Sequence, residues 1–192
     1  MRIVVTGGIG SGKSTVCKAL HANLPGYELV SADQMVHDLY ANNAQFRADL
    51  VKRFGTAERK EISLIVFANP ERRVELELLS WAYLAQAVDA VFEKPDVIFE
   101  FPLFFEHPHW IGRQDAVVLV GCDEPTQRAR VLARDGISAE NFERIKQAQL
   151  PLAEKARQSD IYLDTSGTLE SVLKAASGLP DQLSRLALTQ EA

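Results

Sequence analysis

The sequence predicts an α/β fold in which a parallel sheet carries helices on both faces. Short apolar runs alternate along the chain with stretches of helical spacing, which is typical of strands joined by crossover helices. A glycine-rich turn separates the first apolar run from the first helical stretch. Ligands of such sheets bind at the carboxyl ends of the strands, so we expect the functional residues there.

Five apolar runs predict the strands of this sheet. Each run is short and rich in β-branched or aromatic residues, which suits a strand that is buried on both faces. The predicted strands are Arg2–Thr6, Tyr27–Ser31, Asp96–Pro102, Asp115–Val120 and Asp160–Asp164.

The predicted helices lie between these strands and after the last one. One begins at Lys13 and ends at Leu24–Gly26, and another begins near Asp33. The stretch Ala44–Gly55 is predicted to bury three apolar residues on one helical face and to end at its glycine. Shorter helices are predicted at Ser138–Gln149, Thr168–Ser177 and Asp181–Leu188.

The longest helical pattern runs from Pro70 to Lys94, with proline in its first turn. Its apolar residues recur at intervals of three and four, which predicts one buried face. That face consists of Val74, Leu78, Trp81, Ala85, Val88 and Phe92. We interpret Trp81 and Tyr83 as core and flank of this helix rather than as a ligand platform.

The composition excludes several classes of protein. The chain has 192 residues, of which 46% are hydrophobic and 24% are charged, as in an ordinary soluble domain. Its net charge of -5 argues against a nucleic-acid partner. No apolar run approaches the roughly 20 residues of a membrane span, and the N-terminus lacks a signal pattern. We therefore expect a cytoplasmic protein, monomeric or weakly homo-oligomeric, with no membrane partner and with Cys17 and Cys122 as reduced thiols.

The glycine-rich turn matches a motif with a known physical mechanism. Residues 7–14, GGIGSGKS, fit G-x-x-x-x-G-K-[ST], the P-loop. Its glycines let successive N–H groups point into one concave nest, and the following helix directs its positive end there. Lys13 can reach the β- and γ-phosphates, and the Ser14 hydroxyl can bind Mg²⁺. An incidental glycine-rich turn would not need a strand before it and a helix after it, so we predict a nucleoside triphosphate site.

Two carboxylates are candidates for the chemistry at this site. Asp33 follows the second predicted strand, where it can accept or orient the proton of an attacking hydroxyl, or serve as a helix N-cap. Glu100 lies near the end of the third predicted strand, where it can bind Mg²⁺ through water or form the edge of the core. The residues alone leave both alternatives open.

Basic residues cluster late in this otherwise acidic chain. They are Arg128, Arg130, Arg134, Arg144, Lys146, Lys155 and Arg157. A helix, an Asp-Gly break, a short polar helix and a proline follow one another here, which is typical of a small lid. A lid with arginines can exclude water and neutralise the charge that develops during phosphoryl transfer. Some of these residues will belong to solvated helix faces, and we favour Arg134 and Arg144 as functional.

Several segments together resemble those of dephospho-coenzyme A kinases. They are TGGIGSGKSTV (6–16), SAD (31–33), FPLFFE (101–106), QRARVLARDGIS (127–138) and DTSGTLE (164–170). The resemblance implies transfer of the ATP γ-phosphate to the ribose 3′-hydroxyl of dephospho-CoA, the last step of coenzyme A synthesis. It implies that Asp33 is the base and that Arg134 and Arg144 contact phosphates. It also implies that ATP is held by Gly8, Ile9, Gly10, Ser11, Gly12, Lys13, Ser14 and Thr15.

The same resemblance implies a fold similar to nucleoside monophosphate kinases. Its core would comprise residues 1–33, 95–133 and 158–192, with a helical substrate-binding part at 34–94 and a lid at 134–157. The chain departs from the usual family pattern mainly on the acceptor side. Ser31 replaces the first acid of Asp-Ala-Asp, Leu79-Ser80-Trp81 replaces Leu-His-Pro, the stretch 54–58 is short, and Thr165 replaces the asparagine of Asp-Asn-Ser-Gly.

Three alternatives to this function remain open at the level of sequence. One is a kinase of the same architecture that acts on another nucleoside or nucleotide. Another is a P-loop switch protein with slow hydrolysis, against which the chain lacks a guanine-reading N-K-x-D motif. The third is a relative that binds CoA-like ligands without turnover, although Lys13, Ser14 and Asp33 are all retained.

Overall fold

A computed structural model of the protein describes residues 1–190, without the side chains of Phe67, Asp135 and Gln190. The chain divides into two compact units. The first contains Met1–Val30 and the chain from Lys94 onward, and the second contains Ser31–Glu93.

The first unit is built on a five-stranded sheet with the strand order β2-β3-β1-β4-β5. The strands are β1 (Arg2–Thr6), β2 (Glu28–Ser31), β3 (Val97–Glu100), β4 (Ala116–Gly121) and β5 (Ile161–Asp164). β1 pairs in parallel with β3 and β4, and β4 pairs in parallel with β5. Each strand coincides with a predicted apolar run, and the predicted α/β fold with a parallel sheet is confirmed.

Ten α-helices lie within residues 1–190. Those of the first unit are α1 (Lys13–Asn23), α6 (Glu124–Asp135), α7 (Ala139–Gln147), α8 (Leu152–Arg157), α9 (Leu169–Ser177) and α10 (Leu179–Gln190). Those of the second unit are α2 (Ala32–Asn42), α3 (Ala44–Phe54), α4 (Arg59–Ala68) and α5 (Pro70–Phe92). Within these residues, no helix has both the length and the apolar character needed to cross a bilayer.

The three central strands of the sheet, β1, β3 and β4, are buried on both faces. Ile3 and Val5 of β1 belong to a core cluster shared with α1, α9 and α10. The intervening residue Val4 is fully buried too, as are Phe99 of β3 and Val117 of β4. Strands of this kind read as continuous apolar runs, which is why the sequence located them well.

The second unit has its own apolar core, to which all four of its helices contribute. The core contains Leu39, Phe46, Leu50, Phe54, Ala57, Ile62, Leu79 and Leu84. Helix α3 follows the prediction, because its three apolar residues are buried and Gly55 ends it in the left-handed conformation with φ of 79°. Helix α4 was not predicted, since its run of Ile, Leu and Val has no clear helical spacing.

Helix α5 has the predicted extent, and its predicted face is correct in part, because Val88 and Phe92 are buried and Trp81 packs on the core of the second unit. Pro70 occupies its first turn, as expected, yet Val74 and Leu78 are 54% and 68% exposed. Leu76 and Leu79 pack on the core of the second unit instead. Apolar residues line two neighbouring stripes of this helix, and spacing alone cannot decide which stripe meets α2 and α4.

Candidate active site

The P-loop connects β1 to α1 in a conformation that depends on glycine. Gly10 and Gly12 have positive φ angles of 71° and 82°, which side chains other than glycine rarely adopt. A Cβ atom on Gly10 would also lie 2.5 Å from Cγ2 of Val131 and 2.9 Å from the carbonyl oxygen of Gln127. Glycine at this position therefore allows α6 to approach the loop closely.

Lys13 begins α1 and is only 8% exposed. Its ammonium group donates to the carbonyl oxygen of Gly8 at 2.8 Å, so the charge is held against the P-loop itself. A buried cation beside a nest of N–H groups makes this loop suited to an anion of high charge.

The structure brings together the two residues that were predicted to bind a metal ion. The Ser14 hydroxyl donates to Oε1 of Glu100 at 2.7 Å, and Glu100 is the last residue of β3. Hydroxyl and carboxylate oxygens are ligands that Mg²⁺ prefers, so this pair fits the ion. Among the described residues, no group of three or more His, Cys, Asp or Glu side chains forms a metal site. A cation here would therefore take most of its ligands from phosphate and water, as Mg²⁺ commonly does.

Both cysteines are free and buried. Burial raises the pKa of the Cys17 thiol, and the negative charge of Glu100 raises it further, whereas Lys13 lowers it. Burial also raises the pKa of Cys122, which lies near the P-loop. Both side chains therefore stay neutral and serve as small apolar groups.

A cavity of about 560 Å³ opens beside the P-loop. It is lined by Gly10, Gly12, Thr15, Arg130, Ala133, Arg134, Thr165, Leu169 and Val172. Arg130 donates to the hydroxyl and carbonyl oxygens of Thr165 at 3.0 and 2.6 Å, and this hydroxyl donates to the carbonyl of Ser11 at 2.7 Å. The segment after β5 is thus tied to the P-loop, and the cavity combines guanidinium groups with apolar surface, as a nucleotide base requires.

The two arginines predicted to act from the lid lie in different surroundings. Arg134 lines the cavity beside the P-loop. Arg144 lines neither this cavity nor the one described below; its side chain is 55% exposed and pairs with Glu140 at 2.7 Å. Arg130, which the sequence analysis placed in the basic cluster without favouring it, lines the same cavity and donates to Thr165.

Asp33 is not a helix cap, so that alternative is wrong. Ser31 occupies the N-cap of α2, where its hydroxyl accepts from the Gln34 N–H at 3.5 Å. Asp33 lies in the first turn of the helix and its side chain is exposed. Serine is a good capping residue, so its presence in place of an aspartate keeps this helix start intact.

A second cavity, of about 410 Å³, contains a lysine whose burial the sequence did not indicate. It is lined by Gly8 and Ser11 of the P-loop and by Gly121, Cys122, Gln127, Glu143, Lys146, Gln147, Gln149, Leu150, Pro151, Leu152 and Lys155. Lys155 is 1% exposed and pairs with Glu106 at 2.9 Å. A single lysine in a short polar helix carries no sequence signal of burial, so only the fold could reveal this pair.

Comparison with known proteins agrees with this geometry. The family model for dephospho-CoA kinase matches residues 1–171. A dephospho-CoA kinase of Symbiobacterium thermophilum is 35% identical over 185 residues, which cover 88% of this chain and 76% of the relative. One from Rhizobium meliloti is 34% identical over 190 residues, which cover 93% of this chain and 96% of the relative.

Solved structures show the same architecture. The crystal structure of TT1252 from Thermus thermophilus matches with a TM-score of 0.72 at 31% identity, covering 94% of this chain and 96% of that one. A dephospho-CoA kinase from Campylobacter jejuni shares the fold, with a TM-score of 0.62 at 22% identity, covering 95% of this chain and 96% of that one. Because the family model spans most of the sequence and these relatives match nearly all of it, the chain belongs to the dephospho-CoA kinase family.

Proposed function

We propose that this chain transfers the γ-phosphate of ATP to the ribose 3′-hydroxyl of dephospho-CoA, giving CoA and ADP, as the last step of coenzyme A synthesis. The observation that carries the proposal is the hydrogen bond between Ser14 and Glu100 at the start of α1. It joins the P-loop to an acidic residue at the end of a neighbouring strand, which is the arrangement of a magnesium-dependent phosphoryl-transfer site.

The donor half of the site would be formed by the P-loop. The backbone N–H groups of Gly8–Thr15 would surround the β- and γ-phosphates, and Lys13 would neutralise their charge. Mg²⁺ would be held directly by Ser14 and through water by Glu100. When bound, the ion would offset the negative charge that develops on the phosphate oxygens during transfer. The cavity lined by Arg130 and Arg134 would accommodate the base and ribose of ATP.

The acceptor half depends on Asp33, which follows β2 directly in the chain. Its carboxylate would take the proton of the ribose 3′-hydroxyl while the oxygen forms a bond to the γ-phosphorus, and the bond to the ADP oxygen breaks. The helical part at 34–94 would bind dephospho-CoA. The lid at 134–157 would bring Arg134 and Arg144 to the phosphates. Arg144 would exchange Glu140 for phosphate at little cost, because exposed ion pairs contribute little.

The proposed reaction is tested by measuring ADP release from the purified protein with ATP and Mg²⁺, with and without dephospho-CoA. We expect dephospho-CoA to stimulate ADP release, CoA to appear in equal amount by mass spectrometry, and EDTA to abolish both. Adenosine and nucleoside monophosphates serve as alternative acceptors in parallel reactions. The same slow ADP release with every acceptor would overturn the proposal and indicate water as the acceptor.

Replacement of Asp33 by asparagine tests the assignment of the base. Asparagine keeps the size of the side chain but cannot take a proton, so we expect kcat to fall roughly 10²–10⁴-fold. The affinity for MgATP, measured by calorimetry, should remain unchanged. Asp181 is also exposed in the first turn of a helix, α10, and provides the control, because Asp181→Asn removes the same charge outside the parts assigned to the substrates. Full activity of Asp33→Asn would show that Asp33 is not the base.

A further inference from the structure

Both backbone polar groups of one P-loop residue, Ile9, are bonded to glutamine side chains. The Ile9 N–H donates to Oε1 of Gln149 at 3.1 Å, and the Ile9 carbonyl accepts from Nε2 of Gln127 at 2.6 Å. A backbone N–H can only donate and a carbonyl can only accept, so these contacts also determine which way each amide is turned. We call this arrangement the Ile9 clamp, meaning Gln127, Gln149 and the two peptide groups that they hold.

The Ile9 clamp joins the P-loop to α6 and to the segment between α7 and α8. Gln127 belongs to α6, and Gln149 lies between α7 and α8. The residue after Gln149 is fixed as well, because the Leu150 N–H donates to Oε1 of Glu106 at 2.8 Å. Glu106 in turn pairs with the buried Lys155 of α8. The segment between α7 and α8 therefore has a fixed position against the loop.

The two glutamine side chains of the clamp also lie close to Gly8, the residue before Ile9. A Cβ atom on Gly8 would lie 2.7 Å from Nε2 of Gln127 and 3.6 Å from Oε1 of Gln149. Both glutamines are half-buried, so water does not freely replace their hydrogen bonds to Ile9. Ile9 immediately precedes Gly10, whose left-handed conformation begins the phosphate-binding nest.

We propose that Gln127 and Gln149 are positioning residues for the nucleotide. By holding both peptide groups of Ile9, they keep the N–H groups of the residues that follow directed at the triphosphate. They act through Ile9, and their effect is on the affinity for MgATP rather than on the use of the acceptor. The inference rests on the proposed function only in taking MgATP as the ligand of the P-loop.

The clamp makes opposite demands at its two ends, which provides a sharp test. Gln149 must accept a hydrogen bond, so Gln149→Glu preserves the contact and Gln149→Lys destroys it. Gln127 must donate, so Gln127→Lys preserves the contact and Gln127→Glu destroys it. Glutamate adds one negative charge, and lysine one positive charge, whether it replaces Gln127 or Gln149. A difference in MgATP affinity between the two glutamate variants, or between the two lysine variants, therefore reports the hydrogen bond and not long-range electrostatics. Gln147, an exposed neighbour in the same cavity, is the control, because Gln147→Glu and Gln147→Lys change the charge without touching Ile9.

The measurement is calorimetric titration with MgATP in the absence of dephospho-CoA, followed by steady-state kinetics. We expect Gln127→Glu to bind MgATP about tenfold more weakly than Gln149→Glu, and Gln149→Lys about tenfold more weakly than Gln127→Lys. The KM for dephospho-CoA should differ little among the four variants. If Gln127→Glu does not fold, the comparison of Gln149→Lys with Gln127→Lys still tests the predicted order of MgATP affinities.

Affinities that depend only on the added charge, with equal values for the two glutamate variants and for the two lysine variants, would overturn the clamp. An equal increase in the KM values for MgATP and for dephospho-CoA would also overturn the clamp, because that pattern indicates a general structural role. If the unaltered chain binds MgATP but does not phosphorylate dephospho-CoA, the proposed acceptor is wrong. The MgATP affinities of the four variants still test the role of Gln127 and Gln149 in that case. If the unaltered chain does not bind MgATP, both proposals are overturned.

Discussion

Replacement of Lys13 by alanine is expected to lower kcat/KM for ATP on the order of 10²–10³-fold. Lys13 is 8% exposed and its ammonium donates to the carbonyl of Gly8 at 2.8 Å, so the charge is held against the P-loop. A preorganised charge of this kind stabilises the negative charge on the transferring phosphoryl group at no cost in reorganisation. The effect should appear mainly in kcat, because the charge is needed most in the transition state.

Lys18 provides the matched control for this experiment. It lies on the same helix but is exposed, so Lys18→Ala should leave kcat/KM for ATP within a factor of about two. Thermal unfolding of both variants would show whether α1 still packs. A Lys13→Ala variant that folds and keeps more than a tenth of the activity would contradict this prediction. It would mean that the N–H groups of the P-loop stabilise the transferring phosphoryl group without the lysine.

Replacement of Lys155 by methionine is expected to lower the free energy of unfolding by about 3 kcal/mol. Lys155 is 1% exposed, and its ammonium bonds to Glu106 at 2.9 Å and to the carbonyl of Pro102 at 3.2 Å. Methionine fills the space of the lysine stem but leaves the Glu106 carboxylate, which is 17% exposed, without its cationic partner. An uncompensated charge in such a place costs more than the ion pair contributes.

Denaturation by urea measures this decrease in the free energy of unfolding, and two further variants serve as controls. In the double variant Lys155→Met with Glu106→Gln, the remaining charge is removed, so we expect it to recover part of the stability. Lys174→Met, at an exposed lysine of α9, should change the free energy of unfolding by less than about 0.5 kcal/mol. A Lys155→Met variant as stable as the unaltered chain would show that the buried pair has no net effect.

The features that could be predicted from the sequence are those that depend on a pattern of residues close together in the chain. The three central strands of the sheet are buried on both faces and so appear as apolar runs, and the P-loop is a contiguous motif with a fixed spacing. Glu100 was found because it ends such a run. The end of α3 was found because glycine has a specific conformational role there.

The features that could not be predicted depend on contacts between distant parts of the chain. Gln127 and Ile9 are 118 residues apart, and neither lies in a pattern that indicates the other. Arg130 was one of seven basic residues, and only its contact with Thr165, 35 residues later, distinguishes it. The exposed Val74 and Leu78 of α5 were misassigned because two apolar stripes share one helix. The contacts of α2 and α4 with α5 decide between them.

The central place of β1 in the sheet has a consequence for how the protein is made. β1 is synthesised before its partners on either side, which are β3, reached at Val97, and β4, reached at Ala116. The P-loop that follows β1 therefore cannot acquire its final support until both of these later strands have been synthesised. Residues 31–93 form a contiguous unit with a core of its own and can fold during this interval. The nascent chain must meanwhile keep an apolar N-terminal strand from pairing with other molecules, which makes this the period of greatest risk of aggregation.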